Sequence, residues 1–404
     1  MTTTPAIAPA IAPALPPPGA SLGLVAIFGS TFLQLVGYFM LSPLLLLKLK
    51  GGDVSTTVAG VFVATGWMGI FVMTPFASTV AKRIGLRPCL WIAGTLLTVC
   101  AALFTFTSHL GIWFALNLVS GIAMSLRWVL AEALIAEFCP PDQRGRYVGL
   151  FQTMVSATFI IGPAAMVWLG PQNPATLWTV ITFAALGLVW SLIIPPVPAA
   201  RDADTAHVGL QGLWHALVNH PIIMLAGFVG GFFETGVTSI LPLYGLALGL
   251  GASAAAMLVS ISGLGGVLIM LPAGMVADRF ADPARGRRTL MVFFAAVMLL
   301  ATCALPFVAH TPWLAWPVVF VWGGAGGTLY TMAMTDIGSR EKGITLVNST
   351  AVLVLTYTLG GLVASGASGA LIDWSPTVAF PAALIGVAAI GLVALVRSRK
   401  AANL

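Results

Sequence analysis

The run from Pro221 to Gly249, PIIMLAGFVGGFFETGVTSILPLYGLALG, holds one charged residue, Glu234, and runs of this kind recur from one end of the chain to the other. An apolar helix needs roughly 20 residues to cross about 30 Å of hydrocarbon. Inside a bilayer the backbone must satisfy its own hydrogen bonds, which long apolar segments do as helices. Twelve segments are long enough: approximately 21–47, 55–81, 88–108, 110–138, 146–169, 175–195, 221–249, 252–279, 289–309, 313–337, 344–373 and 376–396. Of the 404 residues only 7% are charged, against about 25% in soluble proteins. So few charges do not make a water-facing surface. The prediction is an all-α membrane protein with twelve transmembrane helices.

The basic residues order these segments. With the N-terminus inside, fifteen Lys and Arg fall in cytoplasmic loops and the C-terminal tail, and only Lys48 and Lys50 fall outside. That asymmetry satisfies the positive-inside rule and predicts a multi-pass inner-membrane protein with both termini cytoplasmic. It also accounts for the formal net charge of +6 without a nucleic-acid partner. The longest polar connection, 196–220, divides the segments six and six and reads as a cytoplasmic linker between bundles at 21–195 and 221–396. The Pro/Ala-rich stretch 1–20 lacks the basic start of a signal peptide and reads as a disordered tail. Residues 397–404 form a basic tail. Cys89, Cys100, Cys139 and Cys303 show no CxxC spacing, so neither a disulfide framework nor a metal site is expected.

The halves echo each other. TVAKRIGLRP (79–88) follows the second segment and MVADRFADPARGRR (275–288) follows the eighth. Duplicated six-helix halves are a common plan of secondary transporters, with the substrate site near the midplane between them. The chain resembles the major facilitator superfamily, whose loop signature approximates GxxxDRxGRR in both halves. The second copy keeps Gly274, Asp278, Arg279, Gly286, Arg287 and Arg288 around a short ADPAR insertion; the first has Ser78 and Lys82 in place of glycine and aspartate, leaving Arg83, Gly85 and Arg87. The resemblance implies gating by Gly274, Asp278, Arg279, Arg83 and Arg87, with Asp336 added near the cytoplasmic end of the tenth segment and Glu137 or Asp142 standing in for the lost aspartate. GLFQTMVSATFIIGPAA (149–165) is half a match to the fifth-span motif of drug and proton antiporters. RWVLAEALIAEFCPPDQRGR, GFFETGVTSILPLYGLALGL and GGTLYTMAMTDIGSREKG are similar to the YcaD-like branch.

Ionisable groups inside a membrane cost from about 2.5 kcal/mol at the centre and usually face the bundle interior or a water cavity. Arg127, Glu132 and Glu234 are of this kind, and all lie on segments four and seven, which the resemblance places around the central cavity. At about 100° per residue, Glu132 shares a helical face with Asn117, Gly121 and Trp128. Arg127 is turned away, about 140° from Glu132, so the two do not pair along the helix. Arg127 and Glu234 lie within about 5 Å of one depth. A pair across the half-to-half interface is geometrically open, either as a switch or as a fixed brace. Glu132 invites a proton-carrying role, since buried carboxyls exchange protons near neutrality; contact with the cytoplasmic gate is the alternative. Gln34, Tyr38 and Tyr330 are candidate polar lining, and Trp128 a candidate substrate contact, each with plain packing as its alternative. Trp113, Trp178, Trp313 and Trp316 fit interfacial belts.

These readings favour a secondary active transporter that moves a small molecule by alternating access, proton-coupled, exporting rather than importing, and working as a monomer without cofactor. Proton-coupled import of a sugar or small organic acid is the alternative. A membrane enzyme lacks its constellation: HExxH, GxSxG and the P-loop GxxxxGK[ST] do not occur. A non-transporting receptor or scaffold leaves the buried charges without a purpose.

Overall fold

The computed structural model describes residues 19–138, 144–196, 214, 217–277, 279–280, 283–308, 311–340 and 343–401. Residues 1–18 of the expected tail, most of the expected linker, and Asp278, Asp142, Cys139 and Lys342 lie outside them, as do the side chains of Glu132, Glu137 and Lys82.

Helix follows helix, and no strand occurs among the described residues. In the first half come α1 (Ala20–Gly51), α2 (Thr56–Met73), α3 (Ala77–Ile84), α4 (Leu86–Phe106), α5 (Leu110–Phe138), α6 (Arg144–Leu169) and α7 (Pro174–Ser191). The second half holds α8 (Pro221–Gly231), α9 (Thr238–Ala247), α10 (Ala252–Ala277), α11 (Pro283–Cys303), α12 (Leu305–Val308), α13 (Ala315–Arg340), α14 (Gly343–Trp374) and α15 (Ala379–Ala401). A 3-10 turn at Thr74–Phe76 joins α2 to α3, and a π turn at Phe232–Val237 joins α8 to α9. Ten helical stretches among the described residues are long and apolar enough to cross a membrane, and α6 carries a further apolar stretch, Thr153–Leu169.

Local chemistry explains the ends. The Ser55 side chain accepts from the Val58 N–H and starts α2. Asn173 accepts from the Ala175 N–H, with Pro174 at the first helical position of α7, a place where its missing N–H costs nothing. Pro75, whose ring disfavours continuous α-helix, sits in the 3-10 turn. Gly85, shared with the loop signature, turns α3 into α4 at φ 90°, a conformation that a side chain would strain.

Within the first half α1 packs on α6 and α7, and α2 and α4 pack on α5; within the second α10 and α11 pack on α13, and α8 packs on α14. The halves meet along α2 with α14 and α6 with α10. Small residues permit these approaches: a Cβ on Gly60 would lie 2.7 Å from the Ser365 carbonyl oxygen, and one on Gly230 2.8 Å from that of Gly326. In lipid, where apolar burial between helices gains little, such close packing carries much of the association. Trp113 is an exception to the belt reading. It is buried between Phe62 and Phe104 and donates to the Thr107 carbonyl at 2.7 Å, whereas Trp178 and Trp313 are exposed as expected.

Candidate functional site

Between the halves lies a chamber in two connected parts. One, of about 50 Å³, is lined among others by Tyr38, Phe39, Trp67, Asn117, Phe159 and Thr238. The other adjoins it through Phe159 and Thr238 and brings in Ser156, Ser262 and Glu234. The first part has room for a few waters, far short of the roughly 300–1,000 Å³ of pockets that take organic ligands. The chamber is drawn shut at this level.

Glu234 sits in the π turn, a local widening that recurs at functional positions. Hydroxyls serve the carbonyls there: Thr238 Oγ1 donates to Phe233 O at 3.2 Å and Thr235 Oγ1 to Gly231 O at 2.8 Å. The half-buried carboxylate accepts from Tyr357 Oη at 2.9 Å, and the Tyr357 ring packs on Tyr330 with centroids 4.7 Å apart. Its space comes from α13. A Cβ on Gly327 would lie 2.7 Å from Glu234 Oε1, and one on Gly326 3.0 Å from Glu234 Cβ. Three helices of the second half thus hold one acidic group against the chamber.

Arg127 is wholly buried, and its Nη2 donates to Ser30 Oγ at 2.7 Å and Thr31 Oγ1 at 3.3 Å on α1, while Nε and Nη1 find no hydrogen-bond acceptor among the described residues. This corrects the cross-interface pair. Arg127 turns into its own half because α1 presents hydroxyls within reach, and Glu234 is engaged by a tyrosine of its own half. Gln34 also departs from the lining expectation. It is buried, with Nε2 3.4 Å from Ala184 O, and it packs against Gly94 and Gly187 of α4 and α7. Tyr38 does line the chamber, as does Asn117, whose Nδ2 donates to Phe62 O at 2.6 Å. Trp128 packs partly buried against the cluster around α1 and α6.

Of the residues expected at the gates, Arg83 and Arg279 are exposed, Arg87 lies with Cζ 5.0 Å from the Trp91 ring centroid, and Gly274 has open space where a Cβ would stand. Asp336 is buried and takes Arg287 Nε at 3.4 Å. That joins α13 to the second loop signature. No group of three or more metal-ligating side chains occurs among the described residues. Sequence reasoning passed over Tyr357, Trp67 and Phe159, which lie in apolar helices without any pattern that marks their direction.

Comparison with known proteins accords with this architecture. The family model of the Major Facilitator Superfamily matches residues 27–351. The chain belongs to that superfamily. It is 21% identical to an uncharacterized MFS-type transporter, YfkF, of Bacillus subtilis strain 168, over 82% of this chain and 83% of that protein. It is 25% identical to the uncharacterized MFS-type transporter YcaD of Escherichia coli O7:K1, over 80% and 82%. Among solved structures, a point mutant of the nucleoside transporter NupG superposes with a TM-score of 0.75 at 13% identity, covering 95% of this chain and 99% of that one. A D-xylose-proton symporter gives 0.75 at 16% identity, over 93% and 96%. The chain is a multi-pass membrane carrier of small molecules rather than an enzyme.

Proposed function

We propose that this carrier is a secondary transporter of the inner membrane, with both termini cytoplasmic, that alternates access to the chamber between its halves and couples export of its substrate to proton entry. Glu234 carries the reading: it is an acidic side chain on the chamber wall, seated on a π turn and steadied by Tyr357. A carboxyl at a moving interface in a membrane is suited to exchange a proton with each side in turn. The walls are aromatic and hydroxyl-bearing, which fits a neutral or singly charged solute. The half match of the fifth predicted segment, α6, to the motif of drug and proton antiporters favours export. Proton-coupled import is the second reading, favoured by the shared fold with a D-xylose-proton symporter.

The test is Glu234→Gln in proteoliposomes, with candidate amphiphiles, sugars and organic acids screened by thermal shift. The variant is expected to keep substrate counterflow and lose gradient-driven accumulation. Undiminished accumulation by Glu234→Gln would remove the carboxyl from the coupling step. The sidedness of the driving gradient decides between export and import.

A further inference from the structure

The helix start at Thr56 is satisfied by two different halves of the protein. The first N–H groups of a helix have no partner within it. Here Val58 N donates to Ser55 Oγ at 3.2 Å and Ala59 N to Ser55 O at 3.0 Å, both local. Thr56 N and Thr57 N instead donate to Asp373 of α14, at 3.0 Å to Oδ1 and 2.5 Å to Oδ2, and Thr57 Oγ1 donates to Oδ2 at 2.7 Å. Lys50 Nζ donates to Thr56 Oγ1 at 3.3 Å in the same corner.

Asp373 stands at the C-terminal end of its own helix, where the helix dipole disfavours a carboxylate, and opposite the N-terminal end of α2, where the dipole favours one. Its position makes electrostatic sense only as a cap for the other half. Beneath it the helices touch backbone to backbone: a Cβ on Gly369 would lie 2.5 Å from Thr56 O, and one on Gly60 2.8 Å from Gly369 Cα. We infer that Asp373 is the latch of the gate at this end. Its carboxylate caps α2 across the interface while the end is shut, and the three bonds must break together for the halves to part. Because Ser55 keeps its local bonds, α2 itself survives the parting.

The experiment uses the full chain in nanodiscs, with native cysteines replaced and Val63→Cys, on the chamber wall, as reporter. Membrane-impermeant maleimide is added, and neither substrate nor gradient is needed, so the outcome stands apart from the transport reading. Asp373→Asn is expected to raise the labelling rate about tenfold, as the loss of about one charge-assisted bond to a population equilibrium implies, with little change in Tm. A second variant, Thr57→Cys with Asp373→Cys, is expected to suppress reporter labelling when the pair is cross-linked before the reporter thiol is exposed to label. Reduction is expected to raise labelling at position 63, read by peptide mass spectrometry apart from the two released thiols, above that of the parent. Unchanged labelling in Asp373→Asn and in the reduced pair would overturn the latch. So would a Tm fall without a change in accessibility, which marks a merely structural cap.

Discussion

Equal steric insults at two glycines should have unequal consequences, because one contact lies within a half and the other lies between the halves, which the proposed alternating access would part. A Cβ at Gly230 would lie 2.8 Å from Gly326 O inside the second half, and one at Gly60 2.7 Å from Ser365 O between the halves, against an ordinary contact of 3.4 Å. Each alanine thus overlaps by about 0.6–0.7 Å, and overpacking of this order costs about 1–3 kcal/mol. In Gly230→Ala the helices α8 and α13 have nowhere to go, so the whole cost falls on folding. At about 2 °C per kcal/mol in a chain of this size, Tm should drop by about 2–6 °C. Gly60→Ala relieves itself by parting α2 from α14. The cost then moves the equilibrium between shut and open ends by about 5- to 150-fold, read as faster labelling of a Val63→Cys reporter with Tm nearly unchanged. An equal Tm loss in both variants, with no gain in labelling for Gly60→Ala, would refute the claim that α2 and α14 form a separable contact.

Among the described residues Arg127 bonds to hydroxyls, with two of its nitrogens lacking acceptors, so Arg127→Met should hold or raise Tm, since a buried charge without a counter-ion costs more than an apolar side chain; a drop of several degrees would count against this. The pair of Arg287 with Asp336 should behave oppositely: Arg287→Met and Asp336→Leu should each lower Tm by removing the contact between α13 and the second loop signature, and a double-mutant cycle should give non-additive losses; additive losses would count against the pair. For topology, cysteines at Gly52 and Gln172 should label from outside and one at Thr205 from inside; outside labelling of Thr205 would reverse the assignment of the ends.

The helices were legible because charge is scarce enough for its positions to mark where they stop. The expected second segment, 55–81, corresponds to α2 through α3, with the break at Pro75 that its ring chemistry explains. The π turn within the seventh segment was not legible, since FFETGV reads as ordinary helix and the extra residue per turn is stabilised by hydroxyls and by packing on α14. Glu234 drew attention as a lone charge in an apolar run, yet its partner did not. A helical wheel orders residues around their own axis but does not say which neighbour each face meets. For that reason the sequence leaves a pair across the interface open for Arg127, which bonds within its own half, and gives no sign of Tyr357, whose hydroxyl bonds the carboxylate.

The π turn divides one membrane-length helix into two rods with different neighbours. The rod after it, α9, packs on α10 of its own half and also touches α1 and α2 of the opposite one, whereas the rod before it, α8, packs among α13, α14 and α15 of its own half. A turn with one residue too many is a joint that can be wound tighter, and tightening it would rotate one rod against the other like a key against its lock. Glu234 is set in that joint. On the proposed reading, loading or unloading its carboxyl would act at that joint, between the two rods.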